Sequence, residues 1–209
     1  MVRVVFIRHG KTAGNLEKRY IGRLDEPLCQ AGRDQLASGA AAGIYDRVLQ
    51  LAEEGCDIWT SGRLRCIQTG ELLFPGREFY EEPELRECDF GRFEGLNWQE
   101  LTGDRDYQAW IDSGGSLPFP GGEDPADFRR RCVRAFLDIV SATRGGPEGC
   151  LIFIVHGGTI MSIMSALAIP ERDYYDWHTG NGAFIICSWD GKHLIPDKEN
   201  DKTGENIKR

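Results

Sequence analysis

The chain has 209 residues, of which 41% are hydrophobic and 28% charged, and its formal net charge is −8 at pH 7. A chain of this length and composition can build one globular domain whose core needs neither a disulfide nor a structural metal. The negative charge argues against nonspecific binding to nucleic acid or to an anionic membrane, and no apolar run approaches the roughly 18 residues of a membrane-spanning helix. Met1 leads directly into a predicted strand rather than a signal peptide, so we expect a cytoplasmic protein. Nothing in the sequence indicates an oligomeric state.

Hydrophobic periodicity and turn signals predict alternating strands and helices. The predicted strands are Val2–Ile7, Asp57–Thr60, Glu78–Glu81, Cys150–Val155 and Ala183–Trp189. The predicted helices are Ala31–Ala41, Ile44–Glu53, Gly62–Phe74 with Ser61 as its N-cap, Asp104–Ser113, Asp124–Arg144, Gly158–Leu167 and Pro170–Trp177.

This alternation predicts an α/β fold, a three-layer α/β/α sandwich in which a mainly parallel sheet carries helices on both faces. Residues 1–197 are predicted to form a single domain, with a small cap insertion at about residues 82–122. Residues 198–209 have almost no apolar side chains and are predicted to form a flexible tail.

Two of the four histidines follow predicted strands in the same local pattern, His-Gly-x-Thr. Val2–Ile7 runs into Arg8-His9-Gly10, and Cys150–Val155 runs into His156-Gly157-Gly158. Since the carboxyl ends of parallel strands meet at one edge of a sheet, we expect both histidines in a single site.

The surroundings of these histidines favour an anion over a metal ion. Residues 1–23 hold six lysines and arginines but one acid, Glu17, so a cation would be repelled there, and we expect no metal and no cofactor. Arg8 offers paired donors to a phosphate, and the backbone N–H groups of Gly157 and Gly158 open a helix whose N-terminus favours anions. Neighbouring cations lower the pKa of a histidine and keep it neutral and nucleophilic. Neither a nucleotide-triphosphate P-loop nor a Gly-x-Gly-x-x-Gly motif is present.

The seven cysteines are odd in number, scattered and without a Cys-x-x-Cys pair. This usage predicts reduced, mostly buried thiols.

Five motifs, in this order, resemble the histidine phosphatases, the phosphoglycerate-mutase-like superfamily. They are Arg8-His9-Gly10-Lys11-Thr12-x-x-Asn15, Gly22-x-x-Asp25-x-Pro27-Leu28-x-x-x-Gly32, Ser61-x-x-x-Arg65-x-x-Gln68-Thr69, Leu85-x-Glu87-x-x-x-Gly91-x-x-Glu94-Gly95 and His156-Gly157-Gly158-Thr159.

The resemblance implies that His9 is the nucleophile and Glu87 the proton donor. It also implies that Arg8, Asn15 and Arg65 bind the phosphate, and that His156 binds the transferring phosphoryl group. The predicted catalytic residues are therefore His9, Glu87, His156, Arg8 and Arg65, and the predicted substrate-binding residues are Arg8, Asn15, Arg65, His156 and Gly157.

Other polar residues receive structural interpretations. The run Arg129-Arg130-Arg131 is interpreted as a solvent-exposed helix face and His178 as structural. Arg63 could face substrate or solvent, and Glu123 could lie near the pocket or simply in the first turn of a helix, where Asp124 would cap. Trp98, Tyr107 and Trp110 could stack on a substrate ring, although we expect them rather to pack the cap.

The compact chain resembles the phosphatase branch, which implies a phosphomonoesterase with a small phosphorylated substrate and inorganic phosphate as its partners. Arg19-Tyr20-Ile21-Gly22 and Tyr107-x-x-Trp110 are similar to α-ribazole-5′-phosphate phosphatases, so α-ribazole 5′-phosphate is one candidate substrate and a sugar phosphate another. A phosphoglycerate mutase is the alternative within the family. A non-catalytic phosphate-binding or docking module is the alternative from another class.

Overall fold

A computed structural model describes residues 1–142 and 149–197 of the chain. Its strands are Val2–Arg8 (β1), Asp57–Thr60 (β2), Tyr80–Glu81 (β3), Cys150–Val155 (β4), Phe184–Trp189 (β5) and Leu194–Pro196 (β6). Its α-helices are Ala13–Leu16 (α1), Gln30–Ala41 (α2), Asp46–Glu53 (α3), Leu64–Leu73 (α4), Arg105–Asp112 (α5), Pro125–Ala142 (α6) and Gly157–Leu167 (α7). Short 3-10 turns span Pro83–Leu85, Gly91–Phe93 and Tyr174–Trp177.

The six strands form one sheet in the order β3-β2-β4-β1-β5-β6. β1, β2, β3 and β4 run parallel, and β5 and β6 add an antiparallel edge. The predicted α/β fold with a mainly parallel sheet is confirmed. The sequence did not predict β6, a strand of three residues.

Helices cover both faces of the sheet because the central strands are apolar on both sides. In β1, Val4 and Phe6 face one core, which α6 and α7 cover, while Val5 and Ile7 face a second core, which α2, α3 and α4 cover. All four side chains are buried. β1 is therefore the centre of the three-layer sandwich, and its end carries His9.

Several local predictions need correction. Ser61 does not cap α4, which begins at Leu64 with Arg63 in the N-cap position. The segment 170–177 forms a 3-10 turn at its end rather than a helix over its whole length. Asp124 accepts a hydrogen bond from the Ala126 N–H at 2.7 Å, so its predicted capping role is confirmed. The predicted end of the long helix at Arg144 and the predicted tail at residues 198–209 lie outside the described residues.

The prediction that all cysteines are reduced is wrong for two of them, since Cys56 and Cys150 form a disulfide. Both residues lie where β2 and β4 begin, and these strands are parallel neighbours. Their Cα atoms are 4.5 Å apart, a distance that a disulfide spans. The thiols of Cys66, Cys88, Cys132 and Cys187 are free and buried, as predicted, and that of Cys29 is free and partly exposed.

Across the described parts of the chain, none of the helices is long and apolar enough to cross a membrane.

The Phe136 side chain joins α6 to the sheet. It is fully buried, and its ring centroid lies 5.6 Å from that of Phe6 and 5.5 Å from that of Phe153. We expect Phe136→Ala to lower the free energy of unfolding by about 3–5 kcal/mol, because it leaves a cavity under the helix. Phe136→Leu keeps most of the volume and serves as the control, with a smaller loss. Urea denaturation measures both, and a loss below about 1 kcal/mol for the alanine variant would contradict this packing.

Candidate active site

His9 lies at the carboxyl end of β1, where its backbone N–H donates to the Val155 carbonyl of β4 at 3.0 Å. The side chain is 4% exposed. Its Nδ1 lies 2.7 Å from the Gly10 carbonyl oxygen. Because a carbonyl can only accept, we assign the ring proton to Nδ1, which leaves the lone pair on Nε2. His9 thus has the tautomer that a nucleophilic Nε2 requires.

Charge and burial act together on His9. Burial, and then the positive charges of Arg65 and Arg8, hold the pKa of His9 well below its ordinary value of 6.5. Its imidazole is therefore neutral at neutral pH, with the Nε2 lone pair available. The sequence predicted this effect from the neighbouring cations, and the structure adds burial as the larger cause.

His156 lies beside His9, as the pattern shared by the two strands predicted. The two ring centroids are 5.2 Å apart in an edge-to-face arrangement. Arg65 Nε donates to His156 Nδ1 at 3.3 Å, so the ring proton lies on Nε2 and points to Ser61 Oγ at 2.8 Å. Burial, followed by the charge of Arg65, lowers the pKa of His156 well below its usual value. Ser61, predicted as a helix cap, instead holds this histidine.

Arg65 is fully buried, with 0% exposure. Its Nη1 donates to the Leu24 carbonyl at 2.8 Å and its Nη2 to the Gly22 carbonyl at 3.0 Å. A buried charge is tolerated only where hydrogen-bond partners compensate for lost water, and these carbonyls supply them. The loop that follows α1 therefore fixes a positive charge beneath the two histidines.

Arg8 approaches the site from the end of β1. Its Nη1 donates to the Thr179 carbonyl at 2.7 Å and lies 3.4 Å from His178 Nε2. Its Nε is buried and has no hydrogen-bond partner among the described residues. A buried, unpaired N–H next to a cavity is a donor for an anionic oxygen. A Cβ on Gly157 would lie 3.2 Å from Arg8 Cζ, so glycine lets the guanidinium pack against the start of α7.

Glu87 projects from the loop after the 3-10 turn Pro83–Leu85. Its Oε2 accepts from the Gly158 N–H at 3.0 Å, and its Oε1 from the Cys88 N–H at 3.0 Å. A Cβ at position 158 would lie against the Glu87 carboxylate, so glycine there lets this carboxylate approach the start of α7. The Glu87 side chain is therefore held at the N-terminus of α7, by a residue that follows His156 by two positions.

Arg131 fixes the loop that carries Glu87. It is 8% exposed, and its guanidinium donates to the carbonyls of Arg86 at 2.8 Å and Glu87 at 3.1 Å. The same guanidinium forms two hydrogen bonds to Glu123, at 2.7 and 2.9 Å. The prediction that residues 129–131 form an exposed face is thus wrong for Arg131. It is right for Arg129 and Arg130, which are exposed, and Arg129 Cζ lies 4.1 Å from the ring centroid of Tyr174.

Asn15 lies at the edge of the site rather than among the buried groups. Its Oδ1 accepts from the Thr12 N–H and from Asn181 Nδ2, both at 3.1 Å. Asn181 Nδ2 also donates to the His9 carbonyl at 3.1 Å. Asn181 therefore links Asn15 to His9, a role that the sequence analysis did not predict.

A cavity of ≈ 250 Å³ opens beside Arg8, Glu87, Gly157 and Gly158. His178 lies on its wall and is exposed, and its structural interpretation stays a prediction. The remaining wall residues are Tyr20, Cys88, Phe90, Trp110, Gly115, Phe119, Pro125, Phe128, Arg129, Met161, Tyr174 and Tyr175.

Of the three aromatic residues considered from sequence, only Trp110 lines this cavity. The Tyr107 ring stacks against the Trp110 ring from outside the cavity wall, with 6.2 Å between centroids. Trp98 is 55% exposed and lies apart from the wall.

On the other side of Glu87 is a polar hollow of ≈ 430 Å³. Arg63 and Glu123, whose positions the sequence left open, both line it. Over residues 1–142 and 149–197, the His, Cys, Asp and Glu side chains form no group of three that could hold a metal ion.

The chain belongs to the histidine phosphatase superfamily (branch 1), whose model matches residues 4–202. It is 32% identical over 178 residues, 80% of this chain and 76% of the relative, to a 2,3-bisphosphoglycerate-dependent phosphoglycerate mutase of Gloeobacter violaceus. It is 27% identical over 205 residues, 91% and 82% of the two chains, to a metal-independent phosphoserine phosphatase of Arabidopsis thaliana. Its fold matches a mycobacterial glucosyl-3-phosphoglycerate phosphatase with a TM-score of 0.75 and 24% identity, over 93% and 96% of the two chains.

The lowered pKa of His9 can be measured directly. Because this pKa is lower in the folded than in the unfolded chain, stability linked to His9 is present above pH 6.5 and is lost as the pH falls through the folded value. We expect the His9 ring resonances, assigned by comparison with His9→Gln, to titrate well below pH 6.5 in an NMR pH series. A midpoint at or above 6.5 would contradict the burial and charge described for this residue.

Removing Arg131 tests the support of the Glu87 loop. We expect Arg131→Ala to cost about 3–5 kcal/mol of unfolding free energy, since Glu123 would stay partly buried without its partner. Arg130→Ala is the matched control: its side chain, on the same helix, is 71% exposed, and we expect a change within about 0.5 kcal/mol. Equal effects of the two substitutions in urea denaturation would refute the role given to Arg131.

Proposed function

We propose that this protein is a phosphomonoesterase that hydrolyses a small phosphorylated metabolite through a phosphohistidine at His9. The observation that carries the proposal is the buried, neutral His9, whose Nδ1 proton is held by the Gly10 carbonyl and whose Nε2 lone pair is free beside two arginines. Such an arrangement suits attack on a phosphate, because the cations attract the anion while keeping the nucleophile unprotonated.

In the first step, the Nε2 lone pair of His9 forms a bond to phosphorus as the bond to the leaving oxygen breaks. The departing electron pair stays on that oxygen, which takes a proton from Glu87; for this step Glu87 enters as the neutral carboxylic acid, with its O–H directed at the leaving oxygen. Arg8 supplies the unpaired buried Nε and Arg65 the buried charge, and both stabilise the negative oxygens of the transition state.

In the second step, Glu87, now a carboxylate, accepts a proton from water as the water oxygen attacks phosphorus. The P–N bond breaks, its electron pair returns to Nε2, and inorganic phosphate leaves.

We assign phosphate contacts also to the amide nitrogen of Asn15, to the Gly157 N–H and to His156. In the arrangement described above, both ring nitrogens of His156 are engaged by Ser61 and Arg65, so phosphate contact requires Nε2–H to exchange Ser61 for a phosphate oxygen. The scheme uses no metal or cofactor.

We further propose that residues 1–197 act as one domain and that residues 82–122 cap the cavity. Because six wall residues of the cavity come from this segment, among them Phe90, Trp110 and Phe119, substrate selection would depend on it. α-Ribazole 5′-phosphate and sugar phosphates are the candidate substrates from the sequence.

Phosphoglycerate mutase is the second candidate, favoured by the relative of that name at 32% identity. Incubation with 3-phosphoglycerate and 2,3-bisphosphoglycerate separates the two activities: a mutase forms 2-phosphoglycerate, whereas a phosphatase releases inorganic phosphate. Both assays contain a chelator, with which we expect phosphate release to persist. A chain that forms no 2-phosphoglycerate and also releases no phosphate from 4-nitrophenyl phosphate would support the non-catalytic phosphate-binding module instead.

The acid role of Glu87 predicts a specific dependence on the leaving group. We expect Glu87→Gln to lower kcat/KM by about 10²–10⁴ for an alkyl phosphate, whose alkoxide needs a proton. The loss should be much smaller for 4-nitrophenyl phosphate, whose phenolate leaves readily without one. Glu84→Gln, in the same loop, is the control and should leave both rates nearly unchanged. An equal loss on the two substrates after Glu87→Gln would exclude Glu87 as the proton donor.

A further inference from the structure

The wall of the cavity beside Arg8 and Glu87 is rich in aromatic side chains, which binding of a phosphate alone does not require. Seven of its lining residues are aromatic, and Met161 and Pro125 add further apolar surface. Arg8, Glu87 and His178 lie next to the start of α7, and Arg129 is the other charged residue of the wall. The cavity thus has a charged end, where the phosphate would bind, and an apolar body.

The aromatic wall is formed before any ligand binds, because its rings hold one another. The ring centroid of Phe90 lies 5.2 Å from that of Tyr20 and 5.1 Å from that of Phe119. The Trp110 ring lies 5.2 Å from Phe119 and meets Tyr20 nearly at a right angle, at 85°. Rings packed at these distances are fixed by their neighbours. A ligand that binds to them therefore loses little free energy in ordering these side chains.

A hydroxyl-rich or anionic leaving group fits this wall poorly. Hydroxyl and carboxylate groups pressed against aromatic faces lose water without gaining hydrogen bonds, which is unfavourable. A flat apolar ring gains burial and stacking on the same faces. The volume of ≈ 250 Å³ is near the lower end for small-molecule sites and suits one ring or two fused rings.

We propose that the substrate is a phosphomonoester whose leaving group carries an aromatic ring, which stacks on the wall formed by Tyr20, Phe90, Trp110 and Phe119. This inference rests on the proposed function and names the substrate class of the same site. Arg129, held over Tyr174, is a further cation on the cavity wall.

Turnover of matched substrates tests the proposal. Benzyl phosphate and glycerol 3-phosphate both release primary alcohols, so their chemical steps are similar and their leaving groups differ mainly in polarity. We expect kcat/KM to favour benzyl phosphate by roughly 10- to 100-fold. Trp110→Ala should reduce kcat/KM for benzyl phosphate at least about tenfold more than for glycerol 3-phosphate. Trp98→Ala, which removes an exposed tryptophan outside the cavity, is the matched control and should leave the preference unchanged.

Binding of inert analogues tests the same proposal without turnover. By titration calorimetry, we expect benzylphosphonate to bind at least about tenfold more tightly than ethylphosphonate, and Trp110→Ala to abolish the difference. Trp110→Leu keeps apolar bulk without a ring face and serves if the alanine variant does not fold.

The outcomes separate the two proposals. Hydrolysis of both phosphates at equal kcat/KM, with equal phosphonate affinities, overturns the aromatic substrate class and leaves the phosphatase standing. Absence of any hydrolysis removes the proposed function, and the phosphonate affinities still decide whether the cavity prefers an aromatic ring.

Discussion

The site depends on the buried positive charge of Arg65. This guanidinium has 0% exposure, and the carbonyls of Leu24 and Gly22 compensate for the water that it has lost. Burial, and after it the charge of Arg65, lowers the pKa of both His9 and His156, and the Nε of Arg65 fixes which nitrogen of His156 carries the proton. This one buried cation thus helps to keep both histidines neutral.

The sheet brings the other groups to this charge. β1 and β4 are adjacent and parallel, so His9 and His156 leave the sheet at the same edge. α7 then begins at Gly157, and the N–H of Gly158 in its first turn holds the Glu87 side chain. A hydrogen bond from the Thr159 hydroxyl to the Leu85 carbonyl, at 3.0 Å, ties the Glu87 loop to the same helix. The nucleophile and acid that we propose are therefore positioned by one strand pair and one helix start.

The sequence predicted the parts of this arrangement that local patterns encode. The two His-Gly-x-Thr motifs predicted that the histidines would meet, because strand ends of a parallel sheet share an edge. The burial of Arg131 also had a local signal: it lies three residues after Phe128 and four before Ala135, on the apolar side of α6. Successive residues of a helix point about 100° apart, so Arg131 can face the core while Arg129 and Arg130, in the same run of arginines, do not.

Other features depended on which distant segments become neighbours. The Cys56–Cys150 pair is separated by 94 residues and is brought together only by the pairing of β2 with β4. His178 reaches Arg8 across 170 residues, in a segment without a recognisable motif. The aromatic wall likewise combines Tyr20, from the loop after α1, with the segment at residues 82–122. No single stretch of sequence carries these contacts.

Covalent phosphorylation of His9 during turnover is the step on which the proposed mechanism depends. Turnover of a ³²P-labelled phosphomonoester, quenched rapidly without acid and followed by alkaline digestion and mass spectrometry, tests this step. We expect an alkali-stable, acid-labile phosphoryl group on His9 that forms and decays within the turnover time and is absent in His9→Ala. Steady release of phosphate with no label on His9, or with the label on another residue, would contradict it.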